Sequence, residues 1–259
     1  MRRISALLVM IFALAAPARG NEWGDLHLRF LYDGEPPAPR ALLVDKDQAI
    51  CGKQKLLDES LVVDKETRGI ANVVVMLLKP KDRDVPIHES YEKASAEPAK
   101  IVSRNCRFEP HVLLMRTTQP LELDNEDPIG YNPKLELFAN PSNSSIIPTG
   151  GPLRLHLRNE EPAPVRLDCT IHPWMSAFVI VRDNPYMSLS DKSGELRLRN
   201  VPAGEWTFRV WHERTGFINQ VRHGEKTLEW PKGRMTLTIK SGDNELGEFR
   251  IPAEVFKRR

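Results

Sequence analysis

The sequence predicts an all-β protein, and three observations predict it. Apolar residues recur with period 2 in segments of five to eight residues, as strands require. Those segments are separated by Pro, Gly, Asn and Asp, and proline alone numbers 21. No apolar stripe of period 3.6 persists beyond about two turns, so helix is a minor ingredient.

Before the first strand, Arg2 and Arg3 precede an apolar run from Ile4 to Ala16 that ends in the small residues Ala16-Pro-Ala18. This is the pattern of a secretory signal peptide, assigned to residues 1–20, and it implies a periplasmic or secreted mature protein. No later stretch approaches the roughly 20 apolar residues of a membrane helix, so no membrane span is expected once the signal is removed. Losing Arg2 and Arg3 takes the formal charge of +2 to about zero. Acidic and basic residues are interspersed, which leaves no cationic face for nucleic acid.

The strands follow in order. Leu26, Leu28, Phe30 and Tyr32 share one face of a first strand, and the unbroken apolar run from Val73 to Leu78 reads as a buried central one. Residues 81–100 are polar and aperiodic and suit a surface insertion with a helical turn. Further strands are expected at 111–116, 121–125, 135–138, 152–158, 164–169 and 177–182. A boundary is placed at Asp183-Asn-Pro185. Beyond it the turns Asp191-Lys-Ser-Gly194 and Asn200-Val-Pro-Ala-Gly204 separate strands at 195–199 and 206–211, with later strands near 218–222, 235–240 and 247–251. The expected organisation is one domain at 21–182 and a small β-sandwich at 183–259.

Three cysteines, Cys51, Cys106 and Cys169, leave one thiol over in an oxidising compartment. The expected bridge joins Cys51 to Cys106 and leaves Cys169 free; the alternative puts Cys169 in the bridge. The free thiol has company, because Cys169-Thr-Ile-His172-Pro-Trp-Met175 lies between two expected strands. Thiolate, imidazole and thioether together suit copper in both its oxidation states, whereas zinc wants a closed tetrahedral set. Trp174 reads as packing or as an exposed docking residue.

This loop is similar to that of amicyanin, and its context resembles the cupredoxins. In that family a Phe-x-Pro strand start, an Asn-x-Asp corner and a His-Asn pair precede the Cys loop; here Phe108-Glu-Pro110, Asn125-Glu-Asp127 and Tyr131-Asn132 stand in that order. The segments around Cys51 and Cys106 look like those of cupredoxin-like proteins associated with methylamine utilisation. The resemblance implies a Greek-key sandwich over residues 24–182, one copper ion as cofactor, electron transfer or copper handling as the role, and a redox protein as partner. Cys169, His172 and Met175 become metal ligands, with Asn132 tying the two ligand loops together.

One position departs from the family. Tyr131 stands where the first histidine ligand belongs, and a phenol is a hard donor that titrates near pH ~10. Three outcomes follow: His111 completes the site from an adjacent hairpin; Cys169, His172 and Met175 hold copper with Tyr131 or water; or the loop is kept for packing in a metal-free binding module. Residues 194–213 resemble a carboxypeptidase regulatory-like sandwich of the Ig or transthyretin kind, an accessory fold. His212 and Glu213 are neighbours on a strand and point to opposite faces. No nucleophile elbow, Walker loop, dinucleotide fingerprint or His-Glu-x-x-His occurs, so no enzymatic activity is expected.

Overall fold

In the computed structural model, which describes residues 22–257, the chain folds into two β-sandwiches. The expected signal peptide at 1–20 lies outside the described residues.

The sandwich that carries the Cys169 loop pairs two sheets. One has the order Arg107–Glu109, Ala99–Arg104, Pro120–Asn125, Leu153–His156; the other Val112–Arg116, Ser176–Arg182, Val165–Cys169, Pro133–Leu135, Asn143–Ser144. The chain crosses repeatedly from one sheet to the other, as Greek-key connections do. Alternation decides what faces inward: Val165, Leu167 and Cys169 are buried, while Arg166 and Asp168 pair with each other outside at 2.7 Å. Ile101, Phe108, Met115, Leu121, Leu123, Leu135, Val179 and Val181 complete this core.

The second sandwich is not the 183–259 unit expected. Strand Trp23–Asp33 pairs antiparallel with Glu195–Pro202 and parallel with Gly242–Pro252, and Val74–Leu77 pairs with Met187–Leu189 and Gly204–His212. Residues 23–33 and 74–77, assigned to the first domain, therefore belong to this sheet pair, and the Cys169 sandwich is inserted between its strands. The physical reason is non-local: which strands pair follows from tertiary packing, and a central strand reads the same from either side. The run at Val73 to Leu78 is central, as expected. Val73, Val75 and Leu77 face one core, while Val74 and Met76 face Val112, Ile180 and Trp211 in a layer joining the two sandwiches.

The polar segment 81–100 contains the short 3-10 turns Glu89–Tyr91 and Lys93–Ser95, but its end is the edge of a strand, Ala99–Arg104. Gly194 closes the turn at 191–194 with φ +84, and a Cβ there would meet the carbonyl of Phe30 at 2.2 Å, so glycine is required.

Candidate metal centre

The end of strand Val165–Cys169 delivers Cys169 inward to the core, and the loop after it folds back on itself. The Cys169 amide donates to the Met175 carbonyl at 3.2 Å and the Met175 amide to the His172 carbonyl at 2.9 Å. This tight turn brings His172 Nδ1 within 3.6 Å of Cys169 Sγ, while the His172 amide points at the same sulfur at 3.4 Å. Both side chains are buried, His172 completely. Met175 is buried in the same core cluster as Cys169 and Tyr131.

The other edge of the imidazole has a partner the sequence did not suggest. His172 Nε2 lies 2.6 Å from Asp47 Oδ2. A carboxylate accepting from Nε2–H leaves Nδ1 free to face the sulfur, which is how outer carboxylates commonly fix a ligand histidine. Asp47 is carried by an N-terminal loop whose tip is tied down by the Cys51–Cys106 disulfide, the bridge expected from the sequence. Cys169 is free and buried.

Tyr131 lies against His172 with ring centroids 5.0 Å apart, so position 131 does face the centre. Its hydroxyl donates to Asp127 Oδ2 at 2.7 Å. Burial first, and then the bond to Asp127, push the phenol pKa well above its ordinary value. Of the two candidates for the remaining ligand position, Tyr131 thus has its oxygen hydrogen-bonded to Asp127. Asp127 also accepts the amides of Asn105 and Cys106, both at 2.9 Å, so the Asn125-x-Asp127 corner and the disulfide form one unit.

The placement of His111 is corrected. Its expected placement assumed a hairpin between 111–117 and 120–126, but Val112–Arg116 and Pro120–Asn125 lie in opposite sheets. The side chain is instead ion-paired with Glu213 of the other sandwich. Burial opposes protonation of His111, and the bond and charge of Glu213 overcome it, leaving its pKa raised. Asn132 meets the Cys169 loop through its backbone, where its carbonyl accepts from the Thr170 amide at 3.0 Å, while its side chain accepts from the Ser144 hydroxyl. Trp174 packs, 5.1 Å from the His172 ring, with its indole N–H donating to the Cys106 carbonyl at 3.1 Å.

Among the described residues, no three His, Cys, Asp or Glu side chains form a group that could hold a metal ion. Cys169 and His172 are a pair, since Asp47 stands on the far edge of the ring. Their 3.6 Å separation is within reach of a single ion, because metal–sulfur and metal–nitrogen bonds of about 2.3 and 2.0 Å span at most about 4.3 Å end to end. A thiol and an imidazole at this separation suit a soft ion at low coordination number.

The site and fold define a two-sandwich β protein with a buried thiol–imidazole pair at one sandwich end. No family model matches the chain, and no curated protein sequence matches it. Solved structures similar to part of it include an oxidised amicyanin variant, at 13% identity over 42% of this chain and 98% of that one with a TM-score of 0.30. A purple cupredoxin from Nitrosopumilus maritimus is 18% identical over 32% of this chain and 98% of that one, TM-score 0.28. The copper-containing nitrite reductase of Thermus scotoductus SA-01 is 15% identical over 41% of this chain, TM-score 0.30, and the match spans only 25% of the reductase. Function is therefore a matter for the chain's own side chains.

Proposed function

We propose that this is an exported, non-enzymatic copper-binding protein that holds Cu(I) between Cys169 and His172, with Met175 as a weak third donor. The observation that carries the reading is the 3.6 Å approach of Sγ to Nδ1 between two buried side chains, with Nε2 occupied by Asp47. A thiolate and one imidazole suit the soft, reduced ion; Cu(II) favours more nitrogen and oxygen donors, and the first-histidine position holds a phenol committed to Asp127. Copper handling is thus favoured over electron transfer, and the proposed partner is a protein that gives or takes Cu(I) rather than a redox protein. Export is supported by the leader-like residues 1–20 and by the Cys51–Cys106 bridge, which suits an oxidising compartment. Among the described residues no helix is long and apolar enough to cross a membrane. The strands that embrace the copper sandwich are proposed as a carboxypeptidase regulatory-like accessory domain.

A second reading, a metal-free binding module, is favoured by one observation: the 3.6 Å contact is also within range of a thiol–imidazole hydrogen bond. Anaerobic Cu(I) titration separates the two. About one equivalent bound by the wild type and none by Cys169→Ala supports copper; less than about a tenth of an equivalent leaves the module.

A further inference from the structure

The His172 imidazole sits in a box with four walls. Cys169, Tyr131 and Trp174 are all part of the sandwich, and the fourth wall, Asp47, is not. Residues 41–57 form a closed loop of the Ω kind: the Leu42 amide donates to the Leu56 carbonyl at 2.9 Å, the Asp58 amide to the Arg40 carbonyl at 2.8 Å, and Ala41 bridges Leu57. These bonds join the stems to each other rather than to a sheet. Three things hold the loop on the sandwich: the Cys51–Cys106 bridge, an apolar seam in which Leu42, Val44, Ile50 and Leu56 meet Ile129 and Trp174, and the Asp47–His172 contact.

Asp47 is shaped for this contact. Its φ is +45, and its carbonyl accepts the amides of Ile50 at 2.9 Å and Cys51 at 2.8 Å, so the turn that aims the carboxylate runs directly into the disulfide. The Asp47 side chain is 41% exposed and that of His172 is 0% exposed. The carboxylate therefore stands between solvent and the imidazole. We propose that Asp47 is the positioning and closing residue of the centre: from a disulfide-strapped loop it holds His172 with Nδ1 toward Cys169, and its release opens the thiol–imidazole pair to solvent. This deepens the copper reading and rests on it where metal exchange is concerned, but the strap itself is testable in metal-free protein.

The test compares wild type, Asp47→Ala and Asp47→Asn; the asparagine keeps a carbonyl oxygen for Nε2–H. In metal-free protein, the reaction rate of Cys169 is measured with iodoacetamide and with the bulkier dithionitrobenzoate. Asp47→Ala should react at least about tenfold faster with both reagents, the equivalent of about 1.4 kcal/mol of lost closure, and Asp47→Asn should recover most of the protection. Wild-type rates in Asp47→Ala overturn the proposal, as does acceleration confined to iodoacetamide, which reports altered thiol reactivity rather than an opened wall. In a second arm, Cu(I)-loaded proteins are challenged with bicinchoninate, and Asp47→Ala should surrender copper about tenfold faster. If Cys169 is unmasked by Asp47→Ala but neither protein binds Cu(I), the strap stands and the copper reading falls.

Discussion

Replacing Tyr131 by phenylalanine separates what this residue does for stability from what it does for metal. The change removes one hydroxyl and leaves the fully buried ring in place, so no cavity larger than an oxygen atom opens. What is lost is a 2.7 Å hydrogen bond to the carboxylate of Asp127, which is itself buried and retains the amides of Asn105 and Cys106. A hydrogen bond to a charged group contributes about 1.5–3 kcal/mol, so Tyr131→Phe should unfold about 2 kcal/mol more easily at pH 7. The pH dependence supplies a sharper check. The folded phenol has its pKa raised, by burial and then by Asp127, so its stabilisation is complete below the unfolded value near 10. Above that pH the unfolded chain loses this proton first and the wild type alone pays for it, at about 1.4 kcal/mol per pH unit. The gap between wild type and variant should therefore narrow by about 1.4 kcal/mol on going from pH 9 to 11, followed by urea unfolding with circular dichroism. A gap under about 0.5 kcal/mol at pH 7, or one that stays constant to pH 11, refutes the assignment of the hydroxyl to Asp127. On the proposed reading, in which Cys169 and His172 hold the ion, Cu(I) stoichiometry should be unchanged in the variant.

Tyr131→His, by contrast, puts an imidazole where the ring already lies 5.0 Å from His172, and Cu(II) loading should then give an intense thiolate-to-copper band absent from the wild type. If both remain colourless, position 131 does not reach the ion. Replacing both Cys51 and Cys106 by serine removes a bridge spanning a sequence separation of 55, which should cost about 4 kcal/mol in urea unfolding; a loss under about 1 kcal/mol would mean the strap is held without it. In the other sandwich, burial holds the pKa of His212 down to about 4, so its stabilisation is full above the unfolded value near 6.5 and is lost as pH falls toward 4. That acid limb amounts to about 3 kcal/mol and should flatten in His212→Asn; an unchanged limb would place the titration elsewhere.

The parts of the centre that were legible in the sequence are those governed by local rules. Alternation along Val165, Leu167 and Cys169 put the thiol inward, and three residues of turn brought His172 to it. The Asn125-x-Asp127 corner also closes locally, Asn125 Nδ2 donating to the Ile129 carbonyl at 2.7 Å and Asp127 donating its amide to Asn125. What escaped were contacts made only by tertiary packing. Asp47 meets a residue 125 positions away from within a charged, exposed stretch, Asp45-Lys46-Asp47, that reads as ordinary surface. Strand Ala99–Arg104 begins inside the segment 81–100 expected as an insertion and its remainder was not expected as a strand, because its inward face carries only Ala99, Ile101 and the polar but buried Ser103. His212 ends its strand and Glu213 begins the turn after it, and the two have different partners, His212 accepting from the Arg214 amide and Glu213 reaching His111.

Tyr131 and the strap are joined by one chain of contacts. From Tyr131 the chain of contacts runs through Asp127 to the amides of Asn105 and Cys106, across the disulfide to Cys51, back along the turn to Asp47, and onto His172, which faces Cys169. A histidine at 131 would lack the phenol oxygen that donates to Asp127, so the first link of this circuit would be lost. A centre that must cycle between two oxidation states needs the ligand; a centre that must keep one soft ion away from water and release it on demand needs the closure. The residue present keeps the bond to Asp127, which favours the proposed Cu(I) store or carrier over an electron relay.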